Sequence, residues 1–266
     1  MNIHLPRTLA ALLVAGTAAL APRDARAAQV VKIGVENGPH AEIAEIVKKL
    51  VAKDGLELKI FEFSDYTRPN PALDQGDLDA NSFQHQPYLD QQVKDRGYKI
   101  VAVAKNVIFP IGVYSRKVKS LDQLPQGGKV AIPNDPSNGG RGLLLLQSKG
   151  VIKLKAGTGI TPSVADIVEN PKKLKFVEAD AAQLPNFLPD VDAAVINTNY
   201  AIQGKLDPAK DAVARESADS PYVNLLVVRQ VDKDKPWVKT LVAAYHSDEV
   251  KKYVLQKYPG VVVPGF

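Results

Sequence analysis

The sequence predicts an α/β protein of two lobes, and three observations carry that prediction. Strand and helix patterns alternate along the chain, which packs as parallel sheets covered by helices. Two apolar runs uninterrupted by helix, Ile108–Tyr114 and Val223–Val228, split the residues after 27 into parts of about 80, 115 and 40. No internal repeat or low-complexity linker separates those parts. The first and last parts, 28–108 and 225–266, are therefore expected to form one lobe, and 109–224 the other. Ligands in open α/β sheets sit at the carboxyl ends of the strands, where the strand order reverses.

Taken in order, the elements begin with Val30–Val35 as a strand. Ala41–Lys53 is an amphipathic helix, because Ile43, Ile46, Val47, Leu50 and Val51 follow the i, i+3, i+4, i+7, i+8 spacing; Gly55 stops it. Leu56–Phe63 is a second strand, Ala72–Gly76 a short helix, Leu78–Asn81 a short strand, and Phe83–Val93 an aromatic-rich helix. Tyr98–Ala104 is a strand. Pro110 cannot donate to a ladder, so Ile108–Tyr114 reads as an edge or crossing segment. Leu121–Leu124 is a helical turn and Lys129–Ile132 a strand. A polar loop, PNDPSNGG, then leads into a helix at Arg141–Lys149. Thr161-Pro162 suits the start of a helix over Pro162–Glu169. Leu174–Glu178 and Ala193–Ile196 are strands. Two helices close the chain, Pro236–Tyr245 and Asp248–Lys257, the second capped by Ser247 with Asp248 and Glu249 in its first turn.

The N-terminus predicts export. Arg7 precedes an apolar run of 13 residues, Leu9–Ala21, and Ala25-Arg26-Ala27 fits a small-x-small cleavage rule. Residues 1–27 are expected to be a cleaved signal peptide; 13 apolar residues are short for a spanning helix, so no stable membrane insertion is expected. The chain contains no cysteine, which excludes disulfides, thiolate metal sites, cysteine nucleophiles and a lipid anchor attached through cysteine. A periplasmic location follows as the expectation.

The formal net charge is +5. The first 27 residues hold three arginines and one aspartate, so part of that excess leaves with them. No basic stripe with interleaved aromatics is present, and nucleic acid is not an expected partner.

Several residues could carry chemistry. The glycine-rich stretch Asn134–Gly140 runs from a strand into a helix, where free N–H groups favour an anion. Arg141 is expected in the first helical turn, where a positive charge opposes the helix dipole and calls for an anionic partner. Its planar fork matches a carboxylate; an exposed surface arginine is the plainer alternative. The stretch lacks the phosphate-loop pattern GxxxxGK[ST]. Tyr66, Phe83, His85 and Tyr88 gather just past strand ends, either as a pocket wall for a small, partly apolar ligand or as local core. His85 has no second histidine at ligand spacing, and a zinc site needs three or four converging ligands. Asn197 and Asn224 sit in or beside apolar strands, where an amide must be satisfied by a ligand or by neighbouring backbone. There is no serine elbow, no carboxylate pair with an evident acid–base role and no GxGxxG, so neither enzymatic chemistry nor a cofactor is expected.

The stretches GPHAEI (38–43), DY (65–66), PN (69–70), GDLDANSFQHQPYLD (76–90), IPNDPSNGGR (132–141), VENPKKLK (168–175), VINTNYA (195–201) and SPYVNL (220–225) resemble, in order, those of the methionine-binding substrate-binding proteins of ABC importers, the family that includes the NlpA-type lipoproteins. The resemblance implies a periplasmic-binding-protein-like fold, two α/β lobes joined by two crossing strands with the ligand in the cleft. It implies that Tyr66, Phe83, His85, Tyr88, Arg141, Asn197 and Asn224 contact the ligand. Arg141 would hold its carboxylate, the two asparagines its carboxylate and ammonium, and the aromatic set its thioether. The implied partners are methionine and a permease served by a separate ATPase subunit. The alternatives are another amino acid or a methionine-containing dipeptide, and an enzyme on amino-acid derivatives using Asp65 and His85. Two departures from the family pattern stand out: the missing lipid-bearing cysteine, and Glu36, where small residues are usual. Glu36 is expected at the pocket entrance, where it would bear on ligand choice.

Overall fold

The computed structural model describes residues 28–266 together with Met1; the proposed signal-peptide segment, 2–27, lies outside the described residues. Strand β1 (Gln29–Glu36) runs into α1 (Pro39–Ala52) through a turn at Gly38, whose φ of 81° suits glycine. Helix α1 buries Ile43, Ala44, Val47 and Val51, the stripe that the apolar spacing marks. Strand β2 (Leu56–Phe63) returns parallel to β1, from Gln29 opposite Leu56 to Glu36 opposite Phe63. Then come α2 (Pro69–Gln75), β3 (Ala80–Ser82), α3 (Gln86–Arg96) and β4 (Ile100–Ile108).

The chain then crosses between sheets. Ile108 still pairs with Val223 in the first sheet, whereas Gly112 opens β5 (Gly112–Tyr114) opposite Ile196 in the second. Pro110 lies between the two ladders, where no backbone donor is required. The second sheet is built from β6 (Lys129–Pro133), after which α4 (Pro136–Ser148) leads to the small β7 (Lys153–Leu154) and β8 (Ile167–Glu169) ribbon; β9 (Lys175–Ala179), α5 (Leu184–Phe187), β10 (Ala193–Ile196), α6 (Thr198–Gln203) and β11 (Ala212–Arg215) follow. The return runs through residues 216–222 into β12 (Val223–Arg229), which rejoins the first sheet before α7 (Pro236–Tyr245), α8 (Asp248–Lys257) and β13 (Val263–Pro264).

Among the described residues two large sheets result, β13-β4-β12-β3-β1-β2 and β11-β5-β10-β6-β9, beside the two-stranded β7-β8 ribbon. The βα repeats give parallel neighbours, β2-β1-β3 and β10-β6-β9. Where the chain crosses or returns, β4, β5, β11, β12 and β13 pair antiparallel. Each sheet is covered on both faces. Helices α1, α7 and α8 close one face of the six-stranded sheet around Val47, Leu241 and Val254, and α2 and α3 close the other around Leu73 and Leu89. Among the described residues no helix is long and apolar enough to cross a membrane.

Two sequence expectations are corrected. The stretch expected as a loop before Arg141 is the opening of α4 itself. Asp135 caps it by accepting the Asn138 backbone N–H at 2.9 Å, and Pro136 occupies the first helical position. The glycines serve packing: a Cβ at Gly139 would lie 2.6 Å from the Pro133 carbonyl oxygen, and one at Gly140 2.7 Å from Thr161 Cα. The helix expected over Pro162–Glu169 shrinks to a 3₁₀ turn, Val164–Asp166, capped by Ser163 and reciprocated by Asp166. Beyond it, Ile167–Glu169 is strand β8, consistent with its β-branched Ile167 and Val168.

Candidate functional site

The seven expected residues line a single small cavity between the two sheets. Tyr66 lies in the loop after β2, which Asp65 stiffens by accepting the Thr67 backbone N–H at 2.9 Å. Phe83 and His85 follow β3 directly. Their segment is fixed from behind by fully enclosed amides: Asn70 Nδ2 donates to Gln84 Oε1 at 2.8 Å, Gln84 Nε2 to Asn70 Oδ1 at 2.6 Å, and Asn81 Nδ2 to the same oxygen at 2.9 Å. The Leu225 N–H also donates to the Gln84 carbonyl at 2.9 Å, tying β12 to this turn. Satisfied networks of this kind hold one conformation, because breaking any link strands a buried polar group.

The aromatic end is a triangle. The rings of Tyr66, Phe83 and Tyr88 sit with all three centroid separations at 6.0 Å, tilted or edge-to-face, the separations that ring quadrupoles favour. The Tyr88 hydroxyl donates to the Tyr66 carbonyl at 3.0 Å, and the Tyr66 hydroxyl reaches across the cleft to Asn199 Oδ1 at 2.6 Å. Burial raises the ionisation range of both phenols, so they remain neutral donors.

Hydrogen-bond directions at the polar end can be traced from one fixed point. The Asp135 carboxylate only accepts, so Asn138 faces it with Nδ2, at 3.0 Å and 3.1 Å. Burial lifts the Asp135 carboxyl above its usual range, opposed by these bonds. Asn138 Oδ1 is therefore the acceptor that meets His85 Nε2 at 3.1 Å and Asn197 Nδ2 at 2.8 Å. His85 Nδ1 accepts the Tyr88 backbone N–H at 3.2 Å, capping α3. The proton of His85 is thus assigned to Nε2, and the ring is neutral. Burial, and then the nearby Arg141 charge, push its pKa down to about 3. His40, buried under Phe109 at 4.6 Å, is likewise pushed down to about 3, by burial alone, and sits 3.3 Å from Asn224 Nδ2. With Asn197 Nδ2 committed to Asn138, Asn197 Oδ1 remains a buried acceptor with no partner among the described residues.

Arg141 corrects its expected setting. It lies one turn into α4, is only 3% exposed, and already has an anionic partner: Nε donates to Glu216 Oε1 at 3.2 Å and Nη2 pairs with Glu216 Oε2. Nη2 also donates to the Phe109 carbonyl at 2.8 Å, and the guanidinium stacks over Tyr222 at 4.3 Å. Nη1 has no hydrogen-bond partner among the described residues. Glu216, on the second crossing segment, thus aims the fork from behind. Glu36 is also corrected. It is fully buried and absent from the cavity wall, not poised at its entrance.

Asn138, Thr198, Asn199, Phe109 and Gln84 also line the cavity. The sequence reading missed them. Asn138 lies in a stretch whose composition reads as loop, and the Asp-Pro-x-Asn helix opening is the signal that marks it. Phe109 and Glu216 flank the crossings, where periodicity gives no facing direction.

Residues 31–266 match the NlpA lipoprotein family. The chain belongs to that family. It is 54% identical over 240 residues to the D-methionine-binding lipoprotein MetQ of Escherichia coli (strain K12), over 89% of this chain and 88% of that protein. Among solved structures it resembles a nutrient binding protein from Burkholderia cenocepacia bound to methionine, with TM-score 0.87 and 60% identity over 89% of this chain and 100% of that one. A second is the methionine-binding protein MetQ, with TM-score 0.86 and 52% identity over 89% and 98%. These relatives are named as binding proteins, and this member of the family is a binding protein, not an enzyme.

Proposed function

We propose that this family member captures methionine in the cavity between its lobes and delivers it to an ABC importer. The observation that carries the reading is the two-ended cavity. One end offers a buried guanidinium with an uncommitted amino group and an orphaned amide oxygen; the other offers an aromatic triangle. Arg141 would take the ligand carboxylate through Nη1. Asn197 Oδ1, with Asn224 beside it, would accept from the ammonium. Tyr66, Phe83, His85 and Tyr88 would enclose the thioether, and sulfur against ring edges contributes about 0.3–1.5 kcal/mol per contact.

The lobes would be 28–108 with 225–266, and 109–224, moving about the crossings at 109–111 and 216–222. The division of strands between two sheets supports this assignment, except that Val223 and Asn224 already belong to β12 of the six-stranded sheet. Export through a signal peptide cleaved after Ala27, and partnership with a permease driven by a separate ATPase subunit, complete the reading. A thermal-shift panel over the twenty amino acids, both methionine enantiomers and methionine dipeptides tests it. Methionine should raise Tm most. A larger shift from glutamate, a branched-chain residue or a dipeptide would overturn the ligand assignment.

A further inference from the structure

Behind the aromatic wall lies a polar cluster that the ligand reading does not use. Glu36, the last residue of β1, is 0% exposed, and neither carboxylate oxygen has a formed hydrogen bond among the described residues. The Tyr200 hydroxyl lies near enough to favour the charged carboxylate, yet it too is a buried orphan. The other charges acting on Glu36 are both negative, Asp65 from the loop after β2 and Asp180 from the turn after β9; no Lys or Arg is among them. The phenols of Tyr66 and Tyr200 complete the surroundings, with ring centroids 4.8 Å apart.

These groups come from opposite lobes. Glu36, Asp65 and Tyr66 belong to the six-stranded side. Tyr200 stands on α6, whose side chains pack into the five-stranded side with Ile196 and Leu184. Helix α6 docks across the cleft onto the end of β1 by two further contacts: Gln203 Nε2 donates to the Asn37 carbonyl at 3.1 Å, and the Tyr66 hydroxyl donates to Asn199 at 2.6 Å. Glu36 therefore sits at the seam between the lobes, one residue from the Gln203–Asn37 contact.

We propose that Glu36 is a proton-linked latch: closing the lobes takes up one proton onto its carboxyl, and the neutral acid then donates to the Tyr200 hydroxyl across the cleft. Glu36 is a positioning residue, acting on ligand affinity through closure. An ionised carboxylate in this place faces two like charges without a cation and with unsatisfied oxygens, which burial penalises heavily. Protonation removes the charge and supplies the missing donor. In the closed form burial, then Asp65, push the Glu36 pKa up from 4.5 to about 9. A group raised in the closed state favours that state fully below its open-form value and loses the advantage as pH rises to the closed-form value. Between about pH 5 and 9, closure-linked affinity should therefore fall up to about tenfold per pH unit.

The inference rests on the cavity being a ligand site, and its test has two arms. Calorimetry with L-methionine from pH 5.5 to 8.5, in buffers of different ionisation enthalpy, should find uptake of close to one proton per ligand at pH 7. Glu36→Gln, a permanent mimic of the neutral acid, should bind with little pH dependence and no uptake; Glu36→Ala serves as a second variant. Small-angle scattering of the protein without methionine is the other arm. Wild type should shift from compact toward extended as pH rises, and Glu36→Gln should remain compact. Equal pH responses of wild type and both variants in both arms would overturn the latch. Differing scattering responses with no methionine binding would sustain the latch and overturn the ligand instead.

Discussion

Replacing Arg141 with alanine removes the one cation, among the described residues, that the cavity offers to a carboxylate. The guanidinium is 3% exposed and held by the Phe109 carbonyl at 2.8 Å, by Glu216 and by the Tyr222 ring at 4.3 Å. Its position therefore needs no ordering when ligand arrives. Truncating one partner of a buried, hydrogen-bonded charge pair costs about 2–5 kcal/mol in binding, which corresponds to weakening of about 30- to 4,000-fold. The same change leaves Glu216, 15% exposed, without its cation. A loss of about 1–3 kcal/mol in folding stability should accompany it, and adding Glu216→Gln in the same chain should restore much of that loss without restoring affinity. Isothermal calorimetry with methionine reads the first quantity and urea unfolding the second. Wild-type affinity in Arg141→Ala, or recovery of affinity by the second substitution, would refute the assignment of the carboxylate to Arg141.

Other consequences follow from particular distances. Gly140→Ala should lower stability by about 1–3 kcal/mol, because its Cβ would meet Thr161 Cα at 2.7 Å; an unchanged midpoint in urea would contradict the packing role given to the glycine pair. Stability should fall on acidification below about pH 6.5, since the unfolded chain takes protons that His40 and His85, pushed down to about 3, refuse. Each contributes up to about 1.4 kcal/mol per pH unit, and His85→Gln should remove one share of that slope; an unaltered slope would contradict a neutral His85. Phe83→Ala should weaken methionine more than alanine, because it removes apolar enclosure while sparing the head-group contacts; equal losses in calorimetry would count against the aromatic end as the side-chain pocket.

The alternation of strand and helix was legible because the apolar spacing of α1, and the β-rich runs of β1, β2, β10 and β12, each record a buried face. The crossing at Pro110 was legible from a missing donor. Other features depend on tertiary contact and leave little local trace. Gly139 and Gly140 read as loop because glycine is a weak helix former, yet tight approach to Pro133 and Thr161 selects them inside α4. The segment after Pro162 had a plausible cap but β-branched residues and a strand partner, and pairing with β7 prevailed. The aromatic set and asparagines could be named from the sequence, whereas their orientation could not. Which atom of Asn197 faces the cavity follows only from Asp135 through Asn138. Glu36 is unusual for its position in the sequence, but the contact of α6 with the neighbouring Asn37 comes from a residue some 160 positions away.

The central claim is that one methionine is held by Arg141 between the lobes, and native mass spectrometry tests it most directly. Protein purified from the periplasm, then exchanged into solution containing methionine, should carry one methionine per chain, and Arg141→Ala should carry none under the same conditions. A bound species of another mass that methionine fails to displace, or equal methionine occupancy in the variant, would contradict the account.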